Sequence, residues 1–211
     1  DLGHIAAYEE LWLTCTLAGG PSLHPDLQRT YDAFETPRAE RARTRLLDEA
    51  QCRDYLDTVR ERSLEVLAHA DLSHDAPALT RNGFVFEMVA AHEAQHSETV
   101  LQALQMYPDG TYQPQPKWSV PSVGDHAPGR AEIPVGDVLV GAPEGPFSYD
   151  CERPRHRRHV AAFAIDRLAV TNGQYRDFVD DQGYHRRDLW SSEGWEWRTR
   201  DRVEAPLYWM C

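Results

Sequence analysis

The chain has 211 residues, 41% of them hydrophobic, enough for one large domain or two modest ones that each bury a core. Its 22 Lys and Arg against 34 Asp and Glu give a formal net charge of −12, which argues against a nucleic-acid backbone or an anionic membrane surface as the main partner. Mean hydropathy is −0.61, and no run reaches the roughly 18 consecutive apolar residues of a spanning helix.

The first residues, Asp1-Leu2-Gly3-His4, carry neither a basic n-region nor an apolar h-region, so no secretory signal is visible. Cys15, Cys52, Cys151 and Cys211 are scattered without C-x-x-C spacing and read as free thiols of a cytoplasmic protein, not as a disulfide framework or a zinc ribbon. His4, Tyr8, Leu11 and Trp12 recur at three- and four-residue intervals and predict one face of an opening helix, ended by Gly19-Gly20-Pro21. Residues 24–47 are polar and Arg-rich and read as loop or short helix. A second helix is expected over about 48–70, with Tyr55, Val59, Arg62/Ser63 and Val66/Leu67 as its stripe. A third follows Asn82-Gly83, with Phe84, Met88, Val89, Val100, Leu101 and Leu104 spread along it.

Prolines and glycines then accumulate, and residues 108–132 read as a linker between a helical domain (1–107) and a mixed, loop-rich α/β domain (133–211). In the second domain Val138-Leu139-Val140 and the run from Val160 to Ile165 look like short strands, and Thr171-Asn172-Gly173 opens a helix. His156 and His159 lie among Arg155, Arg157 and Arg158, whose positive charge opposes metal binding, so this run is expected to be a solvated strand edge.

His92-Glu93-Ala94-Gln95-His96 is the most informative segment. Positions i and i+4 stack on one helical face, so both imidazoles can reach one ion. Extending that face gives Val85, Met88, Val89, Thr99 and Val100, an apolar stripe on which two unpartnered histidines would be costly. The string also spells the H-E-x-x-H of zinc proteases, with Glu93 as general base. The extended form of that motif wants Gly and His where Thr99 and Gln102 stand, and Asp109, Asp125 and Glu132 all lie in proline-rich sequence. His4, on the apolar face of the opening helix, is the better third ligand. Three imidazoles suit oxygen-activating Fe(II) or zinc with a bound water, and spacing does not choose between them. Arg38, Arg41, Arg43 and Arg45 form the densest basic cluster of the helical half, able to grip carboxylates or to pair with Glu35 and Glu40.

Here the residues resemble a family. His4-Ile5-Ala6-Ala7-Tyr8-Glu9-Glu10, Tyr31-Asp32-Ala33-Phe34 with Pro37-Arg38, and Phe86 to Leu104 around the two histidines look like the DinB-like domain of the ergothioneine-biosynthesis sulfoxide synthases of the EgtB type. Asp150-Cys151-Glu152-Arg153-Pro154-Arg155-His156, Val170-Thr171-Asn172-Gly173-Gln174-Tyr175, Gly183-Tyr184, Leu189-Trp190 and Glu193-Gly194-Trp195 resemble the start of a formylglycine-generating-enzyme-like, or sulfatase-modifying-factor-like, domain.

The resemblance implies an α+β fold, a four-helix bundle followed by the first part of a C-type-lectin-like domain. It implies a non-haem iron(II) oxidoreductase that uses O2 to join the sulfur of γ-glutamylcysteine, or cysteine, to C2 of the hercynine imidazole. By position, His4, His92 and His96 would be the iron ligands, Arg38 and Arg41 would hold the thiol substrate's carboxylates, and Gln95 would face hercynine. The family's catalytic tyrosine is expected beyond residue 211, and the chain reads as trimmed at both ends. Tyr208, in Pro206-Leu207-Tyr208-Trp209, is expected to pack, and Trp190, Trp195 and Trp197 to be core. Cys151 stands where the family usually has Asn, for which a local packing change is expected. Readings of the same residues that stay open are an ovothiol- or selenoneine-type synthase, a zinc DinB-like thiol transferase or hydrolase, and an inactive binding module.

Overall fold

The structure is a computed structural model that describes residues 1–31, 36, 43–106, 129–143, 145 and 147–209. Most of the expected linker, together with Arg38 and Arg41, lies outside the described residues. The fold is α+β. Its helices are α1 (Leu2–Glu9), α2 (Gln28–Tyr31), α3 (Glu49–His69), α4 (Phe84–Gln105), α5 (Asn172–Asp180) and α6 (Ser192–Asp201). The strands are β1 (Arg130–Ile133), β2 (Gly136–Val140), β3 (His156–Val160) and β4 (Phe163–Asp166). Strand β1 begins three residues ahead of the boundary expected at 133. Strands β1 and β4 pair antiparallel, with Arg130 opposite Asp166 and Ile133 opposite Phe163, and β2 pairs with β3. No helix among the described residues is long and apolar enough to cross a membrane.

The chain divides into two compact units, one of residues 1–119 with 139–158 and the other of 120–138 with 159–211. In the first, α1 continues without a break into a π-helical stretch, Glu10–Leu17. One expectation is corrected. Leu11 is exposed, and the buried residues of the rod are Gly3, Ile5, Ala6, Glu9, Glu10, Leu13 and Thr14. The buried face runs through Ala6, Glu9, Glu10 and Leu13 at helical spacing, and Leu11 lies ~140° round the rod from Ala6, off that face. Thr16 Oγ1 supports the wide turn by donating to the Leu11 carbonyl at 2.6 Å.

Helix α3 starts at a capping box, in which the Asp48 carboxylate accepts from Gln51 N and the Gln51 side chain accepts from Asp48 N. Its buried stripe is Cys52, Tyr55, Val59 and Ser63, and Tyr55 and Val59 close on Ala6. Helix α4 is entered through Asn82 and Gly83, both in the left-handed region at φ 53° and 79°. Its Val85 and Val89 pack on Leu13, with Tyr8, Trp12 and Met88 around them. The expected buried face does not continue to the end of α4, since Thr99 is exposed. The contacts Leu13 with Val89, His4 with His92 and Asp1 with His96 run antiparallel, so beyond His96 the helix outruns α1. Phe147 closes the start of α4 by setting its ring at 59° to that of Phe84, with centroids 5.4 Å apart, and donating its N–H to Glu87 at 2.7 Å.

In the second unit the Thr171 side chain caps α5 and Ser191 caps α6. Tyr184 is the buried centre, ringed by Phe178, Tyr175 and Trp190, and Trp190 Nε1 donates to the Gly183 carbonyl. Two aromatic expectations are corrected here. Trp197 is exposed, because it lies two residues from Trp195 on α6, nearly the opposite side of a helix. Tyr208 is also exposed, and the packing residue of its segment is Trp209, set against Tyr175 and under the Arg176 guanidinium. Cys151 is exposed in a short 3-10 turn and disturbs no core. On β3, His156 and His159 are exposed, and His159 pairs with Asp137 at 2.8 Å.

The first unit is tied together by a buried carboxylate. Glu10 is 1% exposed and accepts from Ser22 Oγ, from Leu23 N and from the Tyr55 hydroxyl at 2.8, 2.6 and 2.7 Å. Burial, and then the bond to Glu10, hold the Tyr55 phenol well above its ordinary range. Glu10→Leu leaves three donors without an acceptor and is expected to lower unfolding free energy by about 3 kcal/mol or more, whereas Tyr55→Phe should cost about 1–2 kcal/mol. Urea unfolding followed by circular dichroism checks the order of the two.

Candidate metal centre

Three histidines from two helices meet in the first unit. His4 lies in the first turn of α1, and His92 and His96 lie on successive turns of α4, as their spacing predicts. One ring nitrogen from each lies within 4.8 Å of the others, among the described residues a group able to hold a metal ion. His4 Nε2 and His92 Nε2 are 3.2 Å apart. Two nitrogens each about 2.1 Å from one ion stand ~3.0 Å apart at a right angle and ~3.4 Å apart at a tetrahedral one, so this separation fits a shared ion.

Each ring is held by a different device. The His4 Nδ1–H donates to the Tyr31 carbonyl, which turns Nε2 toward His92 Nε2. Tyr31 comes this close because residue 3 is glycine, where a Cβ would stand 2.5 Å from the Tyr31 ring. The Tyr31 hydroxyl in turn accepts from Leu47 N, fixing α2 against the approach to α3. His96 Nδ1 faces the Asp1 carboxylate at 3.3 Å. The His92 ring lies flat on Tyr8, with centroids 3.7 Å apart and planes 16° from parallel.

Burial, and after it the neighbouring His96 and His4 rings, push the His92 imidazole down to about 4. Burial lowers His96 as well. Both rings are therefore neutral at pH 7, the form that donates a lone pair to a cation. A set of imidazoles without a carboxylate suits zinc, copper, iron or nickel better than calcium or magnesium.

Glu93 takes no part in this convergence. Its carboxylate accepts from the Arg60 guanidinium at 2.7 Å, and the same guanidinium grips Glu9 through three bonds of 2.9, 3.0 and 3.3 Å. The Glu9 side chain is 3% exposed, so a buried carboxylate on α1 and a surface carboxylate on α4 share one cation from α3. Those bonds, with the one to Glu9 foremost, raise the Arg60 pKa further. With Glu93 committed to Arg60, the zinc-protease reading of the H-E-x-x-H string loses its general base.

Gln95 is exposed on α4 and stands outside the three-histidine group. Arg43 and Arg45 are exposed. Sequence reasoning missed Asp1, Gly3, Tyr31 and Arg60. Tyr8, four residues after His4, had its place on the shared face foretold but not its contact with His92.

Residues 1–100 match the DinB superfamily, and residues 119–207 match the sulfatase-modifying factor enzyme 1-like domain. The chain is thus of the class that joins a DinB-like helical region to a sulfatase-modifying-factor-like region. Over nearly its whole length it is similar to curated hercynine oxygenases. It is 40% identical over 219 residues to the hercynine oxygenase of Mycobacterium tuberculosis, covering 99% of this chain and 48% of that protein. Against the hercynine oxygenases of Mycolicibacterium thermoresistibile and Mycolicibacterium smegmatis the identity is 39% and 38%, again over 99% of this chain and over 46% and 48% of the relatives. The chain spans about half the length of the curated relatives it matches.

The two partners of Arg60 predict unequal effects. Arg60→Met strands the Glu9 carboxylate and is expected to destabilise the chain by about 2 kcal/mol, a buried-pair loss reduced by the half-exposed arginine. Glu93→Gln, on the solvent side, should cost less than about 1 kcal/mol and leave metal retention unchanged. Denaturation midpoints and metal content of the two variants check this.

Proposed function

We propose that this chain carries the metal site of an Fe(II)- and O2-dependent sulfoxide synthase, which joins the sulfur of γ-glutamylcysteine, or of cysteine, to C2 of the imidazole ring of hercynine. The observation that carries the reading is the convergence of His4, His92 and His96 in a chain similar to three hercynine oxygenases. Iron held there would supply the redox and O2 chemistry that no side chain of the group offers. Three neutral ligands leave the cation's charge uncompensated, so the site attracts an anionic thiolate. Their number leaves room for further ligands, which a carboxylate or a fourth histidine would take.

The remaining assignments follow the family resemblance. Arg38 and Arg41, outside the described residues, would bind the carboxylates of the thiol substrate through paired N–H bonds. Gln95, exposed on α4, would offer its amide to hercynine. A reducing cytoplasm is the setting we infer, in keeping with Cys15, Cys52 and Cys151 as free thiols.

The test is metal analysis of the anaerobically reconstituted protein, paired with O2 consumption. His92→Ala and His96→Ala are each expected to abolish iron retention. Unchanged iron affinity in either variant refutes the ligand set. Uptake of O2 should require hercynine and the thiol together; retention of zinc in preference to iron, or uptake indifferent to hercynine, refutes the reaction.

A further inference from the structure

Two of the three imidazoles at the centre have a hydrogen-bonding partner on Nδ1, the Tyr31 carbonyl for His4 and the Asp1 carboxylate for His96. What faces His92 is an aromatic ring. Tyr8 lies 3.7 Å from it and 16° from parallel, the stacked pair among the ring contacts of the site, whereas His4 and His96 meet His92 at 60° and 61°. Tyr8 is itself fixed. It packs against the buried cluster of Leu13, Val85 and Val89, and Trp12 lies 6.3 Å beyond it along the same rod. Its i−4 neighbour on α1 is His4, so one turn of helix supplies both a member of the metal group and the face against which another member lies.

An imidazole in van der Waals contact with a rigid ring loses rotation about χ2 in the direction that would lift Nε2 out of the shared plane. Hydrogen-bonding partners ordinarily perform this task for metal-bound histidine. Resting on the three-histidine reading above, we propose that Tyr8 is a positioning residue that aims His92 at the metal through its aromatic face, and that its hydroxyl has no part in this.

The variants separate face, hydroxyl and fold. Co(II) is the probe, bound to the full chain under anaerobic conditions and followed by its visible d–d absorption and by titration. Tyr8→Phe keeps the ring and is expected to reproduce the wild-type spectrum and affinity. Tyr8→Met keeps apolar volume without a flat face, and is expected to weaken Co(II) about tenfold or more and to alter the absorption envelope, the usual loss when outer support of a metal ligand is removed. Far-UV circular dichroism identifies a variant that has failed to fold, and Tyr8→Leu then takes the place of Met.

A folded non-aromatic variant with wild-type Co(II) affinity and spectrum overturns the proposal, and so does a Phe variant that loses them. His92→Ala is the control for the underlying reading. If it leaves Co(II) binding unchanged, the metal assignment of His92 fails; if it abolishes binding while Tyr8→Met does not weaken it, the fault lies with Tyr8 alone.

Discussion

Three imidazole nitrogens can serve one cation only while two antiparallel helices keep their register to within a fraction of an ångström. The register of α1 against α4 is therefore the constraint on which the site depends, and most of the first unit's polar burial bears on it. Arg60 reaches from α3 to Glu9, beside Tyr8, and to Glu93, beside His92. Glu10 gathers the return loop and α3 onto the same rod through Ser22, Leu23 and Tyr55. Apolar contacts supply most of the burial energy but are nearly indifferent to a small slide along a helix axis. Charged and hydrogen-bonded contacts are not, and they concentrate within two turns of the histidines.

The same arrangement explains how one pentapeptide can serve different chemistry. In H-E-x-x-H, the histidines share a face while the intervening Glu is ~100° round the helix from the first of them. Whether that Glu meets a substrate or a neighbouring helix depends on what is packed beside it. In this chain α3 lies there and presents Arg60, so the carboxylate is held in an ion pair and turned to a neighbouring helix instead of to the histidines. What remains is a set of neutral donors with positions to spare.

Much of this was legible in the residues. The periodicity of residues 49–69 and 84–105 gave the long helices, and the i, i+4 spacing of His92 and His96 gave their common face. The helix opening at Thr171-Asn172-Gly173 was visible as well, and the structure begins α5 at Asn172. His4 could be paired with them only by supposing that the opening helix ran beside α4. The illegible features share a cause, because each depends on a partner remote in sequence. Arg60 is an unremarkable exposed-pattern arginine until Glu9 and Glu93 stand on either side of it, 51 and 33 residues away. Leu11 is exposed because the buried face runs through Ala6, Glu9, Glu10 and Leu13, and periodicity alone does not choose between two neighbouring stripes. Trp197 is exposed because it stands nearly opposite Trp195 on α6, a phase that aromatic content does not report.

Tyr8 belongs to both sides of the rod: its ring stacks on His92 and also packs with Leu13, Val85 and Val89. The interior of the unit and the three-histidine group therefore share a residue, and a change that reseats one is felt by the other. The histidine group is not a detachable graft on a generic bundle; its alignment is inherited from how the surrounding interior fills.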